Sequence, residues 1–152
     1  MTDARVSRKV VRLVTTRADF HCEYCWCWAR ICPGGFHVEH IIPRTSGGTN
    51  TPSNLCYVCA ACNGSKHTTT SAVDSKTTRT VRLYHPRRDH WPDHFAWSKD
   101  LCEVVPLTAI GRATLNKLNL NRPEAAEHRR ILRDRGQHPL TTTLKPERGS
   151  KH

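Results

Sequence analysis

Two cysteine pairs, Cys22-x-x-Cys25 and Cys59-x-x-Cys62, constrain this chain more than any other feature. Each C-x-x-C turn presents two sulfurs to one tetrahedral ion, and two such turns complete a four-thiolate zinc site. An ion held that way closes the intervening segment into a loop, and its binding energy becomes folding energy. The chain needs such a staple. Leu, Ile, Val and Phe make up only about 19% of its 152 residues, a level at which burial barely offsets ordering entropy. The spacing leaves rivals open, because Cys56-x-x-Cys59 is equally regular and Cys27, Cys32 and Cys102 also carry thiols. A redox role for either pair lacks the thioredoxin-like strand and helix around it. We therefore expect a structural zinc on Cys22, Cys25, Cys59 and Cys62, with Cys27, Cys32, Cys56 and Cys102 as small buried apolar side chains.

The formal net charge is +11. Such an excess favours a polyanionic partner, nucleic acid ahead of an anionic membrane surface. The opening residues interrupt every apolar run with charge, and no stretch reaches the ~20 apolar residues of a membrane span. These features argue against a membrane or secreted protein and predict a cytoplasmic, intracellular chain, where cysteine pairs serve as thiolate ligands rather than disulfides. The basic excess is uneven, with +6 over residues 106–152 and only +1 over residues 20–70.

The length fits one domain. Residues 4–18 place Val6, Val10, Leu13 and Val14 at helical spacing, an apolar stripe expected to face the core. FHVEHII reads as a short strand after Pro33-Gly34-Gly35, and PRTSGGTNTPSN as a turn-rich loop. Leu55 to Val58 suits the returning strand, and AACNGSKH a short helix. Residues 68–78 read as a polar linker or exposed loop, RTVRLYHP as a strand ended by Pro86, and residues 95–105 as a hairpin around Ser98-Lys99-Asp100. Two helices follow, over 107–118 with Leu107, Ile110, Leu115 and Leu118 inward, and over 123–135 with Pro123 in its first turn and Gly136 as its stop. Residues 139–152 read as a disordered basic tail, leaving a single domain over 1–138 with its core at about 20–70.

Within the cysteine frame, Glu39 precedes His40, Asn54 closes the turn-rich loop, and Asn63 directly follows Cys62. The C-E-Y-C knuckle, F-H-V-E-H-I-I-P-R, S-G-G, S-N-L and C-N-G-S-K together resemble the HNH endonuclease family. Downstream, L-Y-H-P-R-R-D-H-W-P-D-H-F and the G-R-A-T-L helix extend the likeness over nearly the whole chain except the tail and point to a bacterial or phage source. The resemblance implies an α+β fold. Its core is a ββα-metal (His-Me finger) unit stapled by the four cysteines, flanked by an N-terminal helix and a C-terminal hairpin and helices. It also implies metal-dependent hydrolysis of phosphodiester bonds in DNA ahead of RNA, with no membrane partner. With one site per chain, cutting both strands favours a homodimer or sequential nicking.

The residue types suit that chemistry. A neutral imidazole takes a proton near neutral pH, so His40 is the expected general base. Glu39 and Asn63 offer a carboxylate and a carbonyl oxygen to a catalytic divalent ion, with Mg2+, Mn2+, Ni2+ and Zn2+ as candidates. Asn54 is expected to tie down the loop and orient His40. Lys66, one helical turn past Asn63, and Arg44 in the loop are candidate phosphate contacts. His37, three residues before His40, is a weaker candidate as extra ligand or orienting group. Arg87 and Arg88 read as a solvated pair with phosphate contact as the rival, and Trp26 and Trp28 as packing around the zinc. The alternative to an enzyme is a catalytically silent, zinc-stabilised nucleic-acid-binding module.

Overall fold

The computed structural model describes residues 6–145. Helix α1 (Arg8–Arg17) starts where Ser7 accepts a hydrogen bond from the Val10 N–H, a side-chain cap for an orphan amide. Only Val14 of its apolar stripe is fully buried, while Leu13 is 49% exposed. The helix seats a narrower edge against the rest of the fold than its sequence suggests. Residues 4 and 5 of the expected helix lie outside the described residues.

Strand β1 (Phe36–His40) pairs antiparallel with β2 (Leu55–Cys59), and helix α2 (Ala60–Lys66) follows at once. Glu39 lies opposite Cys56 and His40 opposite Leu55, at the end of the ladder. The long loop between the strands has two short 3-10 turns, Arg44–Ser46 and Pro52–Asn54. Gly48 lets it fold back, because a Cβ there would sit 1.7 Å from the Ile42 carbonyl oxygen.

Two more two-stranded sheets follow, β3 (Ser71–Val73) with β4 (Thr80–Arg82), and β5 (Phe95–Trp97) with β6 (Val104–Pro106). The short helix α3 (Trp91–His94) leads into β5. The segment expected to be an exposed linker is thus partly a strand, closed by Asp74. That carboxylate is fully buried and held bidentately by Arg112 at 2.7 and 3.0 Å. The partner lies far along the chain, so local polarity alone misreads the segment as solvated.

Helices α4 (Ala109–Leu118) and α5 (Pro123–Asp134) complete the architecture. Leu118 is fully buried, but Leu107, expected inward, precedes the helix and is 43% exposed. Gly136 adopts a positive φ just past α5, as its stop position requires. The core runs from the cysteine knuckle through Val58, Leu83, Tyr84, Trp91 and Phe95 to Leu120. Trp26 meets Trp91 edge-on at 6.5 Å and Trp28 stacks on His21 at 6.2 Å, so both knuckle tryptophans serve packing.

Within residues 139–145, the described part of the expected disordered tail, one side chain is buried. The 3-10 turn Thr141–Thr143 buries Thr143, whose hydroxyl accepts from Trp97 Nε1 at 2.9 Å. The remainder of that expected tail, residues 146–152, lies outside the described residues. None of the described helices is long and apolar enough to cross a membrane.

Candidate active site and metal centre

The ligand-bearing sulfurs of Cys22, Cys25, Cys59 and Cys62 all lie within 4.8 Å of one another, and all four residues are buried. Cys25 and Cys59 are 3.7 Å apart. A regular ZnS4 tetrahedron with bonds of about 2.3 Å has edges of about 3.8 Å, so the donor set fits a single zinc-sized ion. Among the described residues no other group of three or more His, Cys, Asp or Glu side chains comes together this way.

Local structure explains the clustering. The first pair sits in a tight turn where the Trp26 N–H donates to Cys22 O. The second straddles the β2 to α2 junction, where Cys59 is the helix N-cap and its sulfur accepts from the Cys62 N–H at 3.4 Å. Hydrogen bonding from Cys22 pulls the Cys25 and Cys59 thiols well below their ordinary range, while burial pushes Cys22 up.

Of the four cysteines read as apolar filler, Cys27, Cys56 and Cys102 are buried and Cys32 is only partly so. Cys27 is more than filler, because its sulfur lies 3.3 Å from Cys25 Sγ.

An arginine the sequence did not single out covers this centre. Arg122, just before α5, points its guanidinium at Cys25 Sγ at 3.4 Å, Cys59 Sγ at 3.5 Å and Cys62 Sγ at 3.6 Å. Although burial opposes its charge, the nearby sulfurs raise its pKa overall.

Between β1 and α2, Glu39 and Asn63 converge, with Asn63 Nδ2 3.4 Å from Glu39 Oε1. The pair joins a carboxylate to an amide that also carries a carbonyl oxygen, a hard donor set suited to a divalent ion. His40, the next residue on the strand, turns toward the loop, and its Nε2 lies 2.7 Å from Asn50 Oδ1. The two neighbouring strand positions thus have different partners, Asn63 for Glu39 and Asn50 for His40.

Asn54 takes only part of its expected role. Its buried amide accepts from Ile42 N and donates to Ile42 O and Thr49 O, each at 2.9 Å. It therefore pins the loop, while the residue touching His40 is Asn50. With two asparagines in the turn-rich loop, no local signal singles out Asn50 over Asn54.

Lys66 departs further from expectation. It is 5% exposed, its Nζ donates 2.9 Å to the Ile41 carbonyl, and burial lowers its pKa. It ties α2 to the end of β1 and lines a cavity of about 220 Å³ that Arg82 and Arg88 also border. Arg44 stands exposed on the first loop turn. His37 is exposed, faces Val58 in register, and joins no ligand cluster among the described residues.

Residues 22–69 match the HNH endonuclease family. The matched stretch begins at Cys22, the first residue of the four-cysteine cluster, and ends just past α2, so it takes in the ββα unit and all four clustered cysteines. A CRISPR-associated endonuclease Cas9 of Corynebacterium diphtheriae is 36% identical over 76 residues. That alignment covers 47% of this chain and 7% of the relative, so the chain spans only a small part of that protein's length. No solved structure matches the chain. The comparisons agree with the α+β architecture, a ββα core of the HNH kind beside a four-cysteine cluster.

Proposed function

We propose that this protein is a metal-dependent HNH endonuclease that hydrolyses phosphodiester bonds of DNA. The observation that carries the reading is the convergence of Glu39 and Asn63 at 3.4 Å, with His40 at the adjoining strand position. Glu39 and Asn63 would hold a divalent ion through oxygen donors. A bound ion there would supply Lewis acidity toward a phosphate oxygen and the leaving 3′ oxygen.

The remaining work falls to the chain's own groups. The imidazole of His40 takes the proton from the attacking water, and its hydrogen bond to Asn50 restricts the ring to one orientation. Asn54 keeps the loop folded, so that Asn50 stays within reach. Cys22, Cys25, Cys59 and Cys62 would hold a structural zinc, which fixes the strand and helix that carry the site. The net charge of +11 supports a nucleic-acid substrate.

Plasmid nicking in the presence of magnesium, manganese or nickel ions tests the reading. Cleavage that EDTA and His40→Ala both abolish is the expected result. Undiminished cleavage by His40→Ala would overturn the assignment of the base, and salt-dependent binding without cleavage under any ion would mark a silent binding module instead.

A further inference from the structure

Beyond the family-matched segment, the turn at residues 85–90 forms the opposite wall of a groove that starts at the catalytic loop. This groove, about 650 Å³, is lined by Gly48, Thr49, Thr51 and Ser53 on one side and Arg87 and Arg88 on the other. The three hydroxyls form a chain, with Thr49 to Thr51 at 2.7 Å and Thr51 to Ser53 at 2.9 Å. A second cavity of about 220 Å³, lined by Ile41, Thr70, Arg82 and His85, shares Arg88 as a wall. Arg88 therefore stands where the two depressions meet.

The turn is built to hold Arg88 in place. The Nδ1 of buried His85 accepts from the backbone N–H groups of both Arg87 and Arg88 at 3.2 Å. Asp89 accepts from the His85 N–H at 2.8 Å and is clamped by Arg82 at 2.6 and 2.9 Å. Neighbouring arginines have different fates. Arg87 is paired with Glu23, which in turn accepts from the Tyr57 N–H on β2. The Arg88 guanidinium is exposed and has no hydrogen-bond or ion-pair partner among the described residues.

A guanidinium facing a row of hydroxyls across an open groove matches a sugar-phosphate backbone, which offers repeated anionic oxygens and no fixed side-chain pattern. We infer that the groove between the Thr49–Thr51–Ser53 hydroxyls and the 85–90 turn seats the backbone of the nucleic-acid substrate, with Arg88 as the direct phosphate ligand and Arg87 as a structural anchor. This rests on the nucleic-acid reading above and adds a contact outside the matched unit.

The test measures fluorescence anisotropy of a labelled DNA duplex with full-length protein in a His40→Ala background, so that binding is read apart from cleavage. Arg88→Ala should weaken binding roughly threefold to tenfold and equally for unrelated sequences, and should lower the slope of log K against log salt by about 0.9. Arg88→Lys should restore most of the affinity. The matched control is Lys117→Ala, which removes one exposed charge on α4, away from the groove-lining residues. A loss no greater than that of Lys117→Ala, or an unchanged salt slope, would overturn the inference while leaving the cleavage assay to judge the nuclease reading independently. Arg87→Ala should act through a lower melting temperature, and a binding loss at Arg87 alone would also overturn it.

Discussion

The guanidinium of Arg122 lies 3.4 Å from the sulfur of Cys25, although 97 residues separate them along the chain. With Cys59 and Cys62 also within reach, one cation spans three of the four sulfurs. Four thiolates around one divalent ion leave a net charge of −2, and a half-buried arginine offsets part of it without adding a ligand. In zinc-loaded protein, Arg122→Gln should therefore release the proposed structural zinc on the order of tenfold to a hundredfold faster. Chelator competition followed with a chromogenic zinc dye measures this, and an unchanged release rate would contradict the role.

If the cysteine cluster holds the zinc proposed above, chelation should unfold more than the knuckle. The cysteine cluster joins the turn before β1 to the junction of β2 and α2, and it forms one end of the core. Circular dichroism after exhaustive chelation should show loss of helix and a broad, weakly cooperative melt, restored by adding zinc ions.

The loop should be the most mutation-sensitive part outside the cysteines. Asn54→Ala leaves Ile42 N, Ile42 O and Thr49 O without their partner, and should cost about 2–4 kcal/mol in a urea titration. Gly48→Ala forces a Cβ against the Ile42 carbonyl and should cost a similar amount. A neutral result at either site would mean the loop readily takes another path.

Asn50→Ala should leave folding nearly intact and slow cleavage by about tenfold, because His40 loses the acceptor at Nε2. The comparison with Asn54→Ala is informative, since that variant should lose stability first and activity as a consequence.

Stability should decline in mild acid. Burial, reinforced at His85 by the Arg88 charge, lowers its pKa, and burial does the same at His138, which hydrogen-bonds the Leu101 carbonyl. The unfolded chain then takes up protons at about pH 6.5 while the folded chain resists. The stabilisation is full above that value and is lost as the pH falls toward the lowered folded-state values. Urea midpoints should drop between about pH 7.5 and about pH 5.5, and His85→Gln should flatten the trend.

Much of the arrangement was legible in local pattern. The C-x-x-C spacing announced the sulfur cluster because a turn delivers two ligands whatever surrounds it. The strand FHVEH, its returning partner and the short helix follow from apolar patterning between turn formers, and the helices over 109–118 and 123–134 from theirs. Residues whose role depends on a distant partner were not legible. Lys66, a phosphate-contact candidate by its place one turn past Asn63, donates to the Ile41 carbonyl, and Asp74, in a segment that reads as a polar linker, is held by Arg112.

By itself, then, the amino-acid sequence determined which sulfurs cluster, since the Cys22/Cys25 and Cys59/Cys62 pairs carry their chemistry in type and spacing, while Glu39, His40 and Asn63 are proposed through the family resemblance. Only the tertiary structure decided which neutral or cationic neighbours serve them. Asn50 rather than Asn54 meets His40, Arg122 covers the sulfurs, and Arg88 rather than Lys66 faces an open groove. The physical reason is that a ligand pair is set by a few adjacent backbone angles. A hydrogen bond or ion pair across the fold is set by how separate elements pack, and no local periodicity encodes that packing.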